Sequence, residues 1–322
     1  MTRILAADIG GTKTLLQLSE YDSDDYQLLY ECRYASQDYD SFDDVLSAFM
    51  QGANNPRIEQ ACFAIAGPIA GDGASATVTN LPWTLDRERL RTDYAIAEVR
   101  LINDFHAVAA ALDSLPDDEL VTLQQGRAQA QGAQLVIGAG TGLGVAMRIW
   151  NGRRYQIVAT EAGHAGFAPA DQQQRRLLEF AAGRHPVVSR EHLLSGLGLV
   201  TIYQFICQQQ RKPQVELGAD EISRLAADGD QTCTDCLALF FNIYGSECAN
   251  LALVGLPFGG IYIAGGIAAK NIDALVNSDF VQAFCHKSKM HHLLSALPIK
   301  VIKNQSVGLL GARRLASHPH RD

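Results

Sequence analysis

Positive charge is scarce in this chain of 322 residues: 27 Lys and Arg stand against 35 Asp and Glu, leaving a net charge of −8. Such a surface has no general attraction for nucleic acid or an anionic membrane, so an anionic ligand must be held by local groups. Charge of either sign is modest at 19%, against 47% hydrophobic residues, which excludes a disordered chain and provides for sizeable cores. A secretory leader is missing, because Met1-Thr2-Arg3 is followed only by the apolar run Ile4 to Ala7 before Asp8. An unbroken membrane-length run is missing too. The nearest stretch, Ala249 to Ala269, is uncharged but broken by Pro257 and the glycines at 255, 259 and 260. It predicts a buried helix ending near Gly255, a turn, and the strand Gly260 to Ala264. The 7 cysteines are odd in number and scattered, which argues against a disulfide framework and for reduced thiols in a cytoplasm. Cys233 and Cys236 form a lone CxxC, read as buried thiols ahead of a metal or redox pair. Proline, at 10, is far outnumbered by 28 glycines, and so much glycine asks for places where the backbone needs its freedom.

The length exceeds the roughly 250 to 300 residues at which single cores stop growing, so two domains are expected. Ile4 to Asp8, Lys13 to Ser19 and Leu28 to Tyr34 read as short strands, joined at Gly10-Gly11 and at the Asp-Ser-Asp-Asp of 22–25. Phe42 to Met50 has apolar residues at 42, 45, 46, 49 and 50 and predicts a helix. Further along come the strand Gln60 to Ile65, a helix from about Asp86 to Tyr94, the strand Val99 to Ile102 and a helix opening at Asn103-Asp104. A second block repeats the opening: the strand Leu135 to Ile137 enters a run with glycines at 138, 140, 142 and 144, and the strand Val145 to Trp150 leaves it. Two related α/β domains follow, a small one over 1–112 completed by a C-terminal helix within 303–322, and a larger one over 113–302.

Both glycine-rich turns let main-chain N–H groups approach phosphate oxygens, although either alone is also an ordinary hairpin turn. A Walker loop is absent, and Gly138-x-Gly140-x-Gly142 leads into a strand rather than the crossover helix of a dinucleotide fold. Asp8 stands where a carboxylate could hold water around a phosphate-bound Mg²⁺, or could cap the turn. Asn103-Asp104 follows a strand directly, at the carboxyl end where α/β folds bind ligands, and is equally a favoured helix cap. Glu161 and His164 have the spacing of one face of a helical turn.

These residues resemble the bacterial glucokinase family, within the wider set of sugar kinases, actin and heat-shock ATPases. The resemblance runs through Asp8 to Thr12, Thr79-Asn80 before Trp83, Ile102 to Phe105, Gly138 to Gly144, Glu161 to His164, Ser189 to Leu199 and Ala264 to Ile267. It implies two ribonuclease-H-like (actin-like ATPase) domains with a cleft between them, and phosphoryl transfer from ATP to the 6-hydroxyl of glucose, with Mg²⁺. By the same resemblance Asp104 is the general base, and Asn80, Asn103, Asp104, Glu161, His164 and Glu191 meet the sugar. Ala7, Asp8, Ile9, Gly10, Gly11, Thr12, Gly138, Gly140, Thr141 and Gly142 would meet the phosphates, and Gly265 and Gly266 the adenosine. Gly265-Gly266 is otherwise a tight strand-to-helix turn. Gly67, Gly196 and Gly198 are expected to shape loops near the sugar. A cytoplasmic homodimer is implied. Kinases of another hexose, such as mannose, fructose or an N-acetyl hexosamine, and a non-catalytic sugar sensor remain alternatives. Where related repressor and kinase proteins carry a cysteine-rich zinc cluster, this chain continues Ala165-Gly166-Phe167-Ala168-Pro169, so no zinc is expected, and no helix-turn-helix precedes Ile4. Lys13 stands where many relatives have asparagine and either touches a terminal phosphate or faces solvent. His286, Lys287, Lys289, His291 and His292 read as a solvated basic patch.

Overall fold

A computed structural model describes residues 1–22 and 25–318. Ser23 and Asp24 of the expected second turn, and residues 319–322 of the expected C-terminal helix, lie outside the described residues. The chain divides into two compact units, one formed by residues 1–115 together with the chain from Ser306 on, the other by residues 116–305.

The first unit is built on a five-stranded sheet. β1 (Thr2–Ile9), β2 (Lys13–Asp22) and β3 (Asp25–Ala35) form an antiparallel meander, and β4 (Gln60–Ile65) continues the sheet parallel to β1. A small hairpin, β5 (Ser75–Thr77) with β6 (Thr84–Asp86), precedes β7 (Glu98–Asn103), which pairs in parallel with β4. The sheet order is β3-β2-β1-β4-β7. Side chains alternate across a strand. Leu5, Ala7 and Ile9 accordingly share one core with Phe42, Val45, Leu46 and Phe49 of α1 (Phe42–Gly52), which starts on a capping box between Ser41 and Asp44. α2 (Arg87–Asp93) begins at the Asp86 cap and α3 (Asp104–Ala111) at the Asn103 cap. The opposite face of the sheet carries α3 and the C-terminal helix Val307–Ser317, which packs on α3, β1 and β4.

The second unit repeats this plan. β8 (Leu120–Gln124), β9 (Gln134–Ala139), β10 (Leu143–Trp150), β11 (Tyr155–Thr160), β12 (Gly260–Ala264) and β13 (Ile299–Ile302) form one sheet in the order β11-β10-β9-β12-β13-β8. Again three antiparallel strands lead into parallel neighbours, here β9-β12-β13. α4 (Gln172–Ala182), α5 (Gly196–Gln210), α6 (Ala219–Ala227) and α7 (Gln231–Gly255) contribute half of the second core. α7 is long and apolar enough by length and composition to cross a membrane, but 67% of its most apolar window is buried in this fold. It ends at Leu256, whose φ is +44°, and Pro257, as the glycine and proline signals foretold. Cys233 and Cys236 are both buried in α7, and burial pushes the Cys233 thiol up to about 12, the environment of an inert thiol.

Candidate active site

In the first unit the parallel strands β1, β4 and β7 end side by side, with Ile9, Ile65 and Asn103 in register. The residues just past these ends are the expected ones. The turn after β1 closes by Gly10 N–H donating to Lys13 O at 3.0 Å. Buried Ser36 holds it from below, its Oγ donating to Gly10 O at 2.7 Å and its N–H to Thr12 O at 3.0 Å. A Cβ on Gly11 would lie 3.0 Å from Thr79 O and 3.6 Å from the Asn80 Cβ, so Asn80, at φ +66°, sits against this turn. Ala7 and Ile9 point into the core with no exposure, and can offer a ligand only their backbone.

Asn103 and Asp104 both serve the start of α3. Asn103 Oδ1 accepts from the N–H of Phe105 at 2.9 Å and of His106 at 3.3 Å, while its Nδ2 donates to Gly67 O at 3.4 Å. Asp104 Oδ1 accepts from the Phe105 N–H at 2.9 Å, and the carboxylate lies in the first turn, where the helix dipole favours negative charge. Asp8 lies deeper. Burial pushes its carboxyl above the ordinary range and Lys13 pulls it back, while the C-terminal helix passes so close that a Cβ on Gly308 would be 3.0 Å from Asp8 Oδ2. Lys13 itself is exposed.

Burial, helped by the Arg100 guanidinium, pushes the His106 imidazole down to about 4. An unfolded chain protonates histidine near about 6.5, so between those values it binds more protons than the folded one. Stability from neutral His106 is present above that upper value and is lost as pH falls toward the lower one, about 3 kcal/mol in all. Urea midpoints are expected to fall across this window in the parent protein, with a flatter profile in His106→Asn. An unchanged slope in the variant would assign the loss to other groups.

In the second unit the turn between β9 and β10 is Gly140-Thr141-Gly142, closed by Gly140 N–H donating to Gly142 O at 2.8 Å. Gly138 and Gly144 are not part of it. They face each other across the ladder, Gly138 fully buried, because the strands run further into the glycine run than Ile137 and Val145 suggested. The Gly265-Gly266 turn after β12 lies beside the end of β9. Gly265 has φ +88°, and a Cβ there would be 2.3 Å from Ala139 O. The first residue of α5 reaches the turn between β9 and β10, Gly196 N–H donating to Gly140 O at 2.8 Å. Gly196 is therefore seated against the same turn that Glu191 reaches from its other side.

Glu161, His164 and Glu191 come together. Ala162–His164 is a single 3₁₀ turn, which brings His164 Nε2 within 3.6 Å of Glu161 Oε2, and His164 Nδ1 lies 3.9 Å from Glu191 Oε1. The other Glu191 oxygen accepts from Leu143 N–H at 2.8 Å, and a Cβ on Gly142 would lie 2.5 Å from it. Glu191 thus links the His164 cluster to the glycine turn. Beside it the His192 ring stacks on His185 at 3.9 Å and 10°. The expected basic patch is only partly solvated: Lys287 is half-buried, donates to Ser246 Oγ at 3.2 Å, and burial pushes its ammonium down.

Three supports escaped the sequence reading: Ser36 under the first turn, the α5 amino terminus against the second, and a buried ion pair between Arg190 and Glu247, with Nε to Oε2 2.7 Å. Each acts across a separation that no local pattern marks.

Two meander-led sheets, each with a glycine turn at its strand ends, are the duplicated fold of the actin-like ATPases and sugar kinases. A family model described as Glucokinase matches residues 5–319. A glucokinase of Nostoc sp. (strain PCC 7120) is 41% identical, over 98% of this chain and 99% of its own. The crystal structure of a glucokinase from an Antarctic psychrotroph is 28% identical, with a TM-score of 0.83 over 98% of this chain and 99% of that one. A ROK family glucokinase from Streptomyces griseus, solved in complex with glucose and AMPPNP, shares the fold at 20% identity, with a TM-score of 0.70 over 98% and 99%. The chain belongs to the glucokinase family.

Proposed function

We propose that this protein phosphorylates D-glucose at its 6-hydroxyl with ATP, releasing glucose 6-phosphate and ADP. The observation that carries the reading is the placement of Glu191, one oxygen on the Gly142-Leu143 turn and the other beside His164, which puts a cluster suited to sugar hydroxyls next to a turn suited to phosphate. A neutral hexose needs such mixed donors and acceptors.

In this reading Asp104 accepts the proton of the 6-hydroxyl as that oxygen bonds to the γ-phosphorus, and the bond from phosphorus to the bridging oxygen of ADP breaks. The transition state is loose, so alignment and charge neutralisation matter more than a strong base. Asn80, Asn103, Glu161, His164 and Glu191 would orient the sugar. Asn103 does so with an amide already engaged as a cap, so its contribution is largely to hold Asp104 in place. Because the Gly10 and Gly140 amides close their own turns, phosphate contact falls to Gly11, Thr12, Thr141 and Gly142. Gly265-Gly266 would take the adenosine. Asp8 fits an Mg²⁺ held through water: the residue keeps part of its surface at the end of β1, and a magnesium bound mostly by phosphates and water asks for only one or two carboxylates. When bound, that ion would neutralise charge on the phosphates. A cytoplasmic location, a homodimer and a place at the entry of glucose into glycolysis come with the resemblance.

A coupled assay across glucose, mannose, fructose and N-acetylglucosamine, with ATP, polyphosphate and ADP as donors, tests this. ADP release with glucose and ATP, at a kcat/KM at least about tenfold above the other pairs, is expected. Glucose binding without turnover would favour a sensor, and a better hexose or donor would replace that part of the reading.

A further inference from the structure

The loop that presents His164 is fastened at both ends by one buried ion pair. Arg190 Nη1 donates to Ala162 O at 2.9 Å, while its Nε donates to Glu247 Oε2 at 2.7 Å. Glu247, on α7 and with no exposed surface, accepts the Ala168 N–H on its Oε1 at 3.1 Å. The same two chain segments are also laced by their backbones, Arg190 N–H to Ala165 O and Glu191 N–H to Gly163 O, both at 3.0 Å. Burying two charges is costly, and an apolar pair of equal volume is often as stable or more so, so packing alone does not account for this pair. What apolar side chains could not do is donate to the Ala162 carbonyl and accept from the Ala168 amide at the same time.

We propose that the Arg190–Glu247 pair is a positioning device for hexose binding. It ties residues 162–168 to α7, fixes the spacing of Glu161 and His164 against Glu191, which keeps its own hold on the Leu143 amide, and so sets affinity for the sugar while leaving the nucleotide turns alone. Neither residue touches the substrate. The inference rests on the reading of that cluster as the sugar site.

The test compares the parent with Arg190→Met/Glu247→Leu, which removes both charges together and so avoids stranding one of them, and with Arg190→Lys, which keeps the charge but replaces a fork of donors by a single point. Thermal midpoints, kcat and the KM for glucose and for ATP are measured for each. The double variant is expected to fold with a midpoint near the parent's. Its KM for glucose should rise roughly tenfold or more, since the loop loses two hydrogen bonds, while the KM for ATP stays within about twofold. Arg190→Lys should fall between. A folded double variant with the parent's glucose KM, or with both KM values raised alike, overturns the positioning role. A parent that neither binds nor phosphorylates any hexose overturns the sugar-site reading on which the role depends.

Discussion

Asp104→Asn is expected to lower kcat by about a hundredfold or more, the range for loss of a general base, while the KM for glucose changes by no more than about twofold. The amide has the size of the carboxylate and retains an oxygen for the Phe105 N–H that now donates to Oδ1. It cannot take a proton from the sugar. Because the Asn103 cap carries the hydrogen bonds that start α3, the helix should survive the exchange. Steady-state kinetics beside a thermal melt separate the two effects. Full turnover in the Asp104→Asn variant would remove Asp104 from the chemistry.

Gly311→Ala should be the most damaging single methyl in the first unit. A Cβ there would lie 1.7 Å from Ala107 O and 2.5 Å from the Ala107 carbonyl carbon, in the contact between the C-terminal helix and α3. Overpacking costs about 1–3 kcal/mol when side chains can yield, and here both partners are helix backbone, so about 3 kcal/mol or more is expected. That corresponds to a fall of roughly 10 °C in thermal midpoint. Since α3 carries Asp104 at its first turn, kcat should fall as well, even where the variant is still folded. Gly71→Ala, at a position with nothing within 4 Å, is the control and should change stability by no more than about 0.5 kcal/mol. A parental midpoint for Gly311→Ala would refute the tight contact.

Five strands of the two meanders were legible as short runs ended by glycine or by a polar turn, and α1 from its apolar spacing, whereas β11, with alternating exposed positions, was not foreseen. The glycine turns were legible as turns at strand ends. Their exact membership was not: Gly138 pairs with Gly144 inside the ladder, since a strand of glycine and apolar residues gives no sign of where its last hydrogen bond falls. Residues drawn together by resemblance, Glu161, His164 and Glu191, do converge, yet the sequence offered no hint that Glu191 would also hold the Leu143 amide. Ser36 was unreadable for a related reason. A serine in a polar segment looks like any other, and only the fold places its hydroxyl under Gly10. Glu247 hid inside an apolar helix, where one charge among many hydrophobic residues could as well have faced water. Lys287 was misplaced because a run of basic residues says nothing about which one α7 covers.

The first unit is not continuous in sequence: its sheet is complete by Asn103, but the helix that covers one face of it arrives only after the whole second unit. During synthesis the second unit can therefore close on itself while the first still exposes the apolar side of β1 and β4. The refolding rate of Gly311→Ala, measured beside its melt, reads that late docking step. The ribosome releases the segment that secures α3 only after it has made all of the second unit, so on a nascent chain Asp104 takes its settled place later than the Glu191 cluster does.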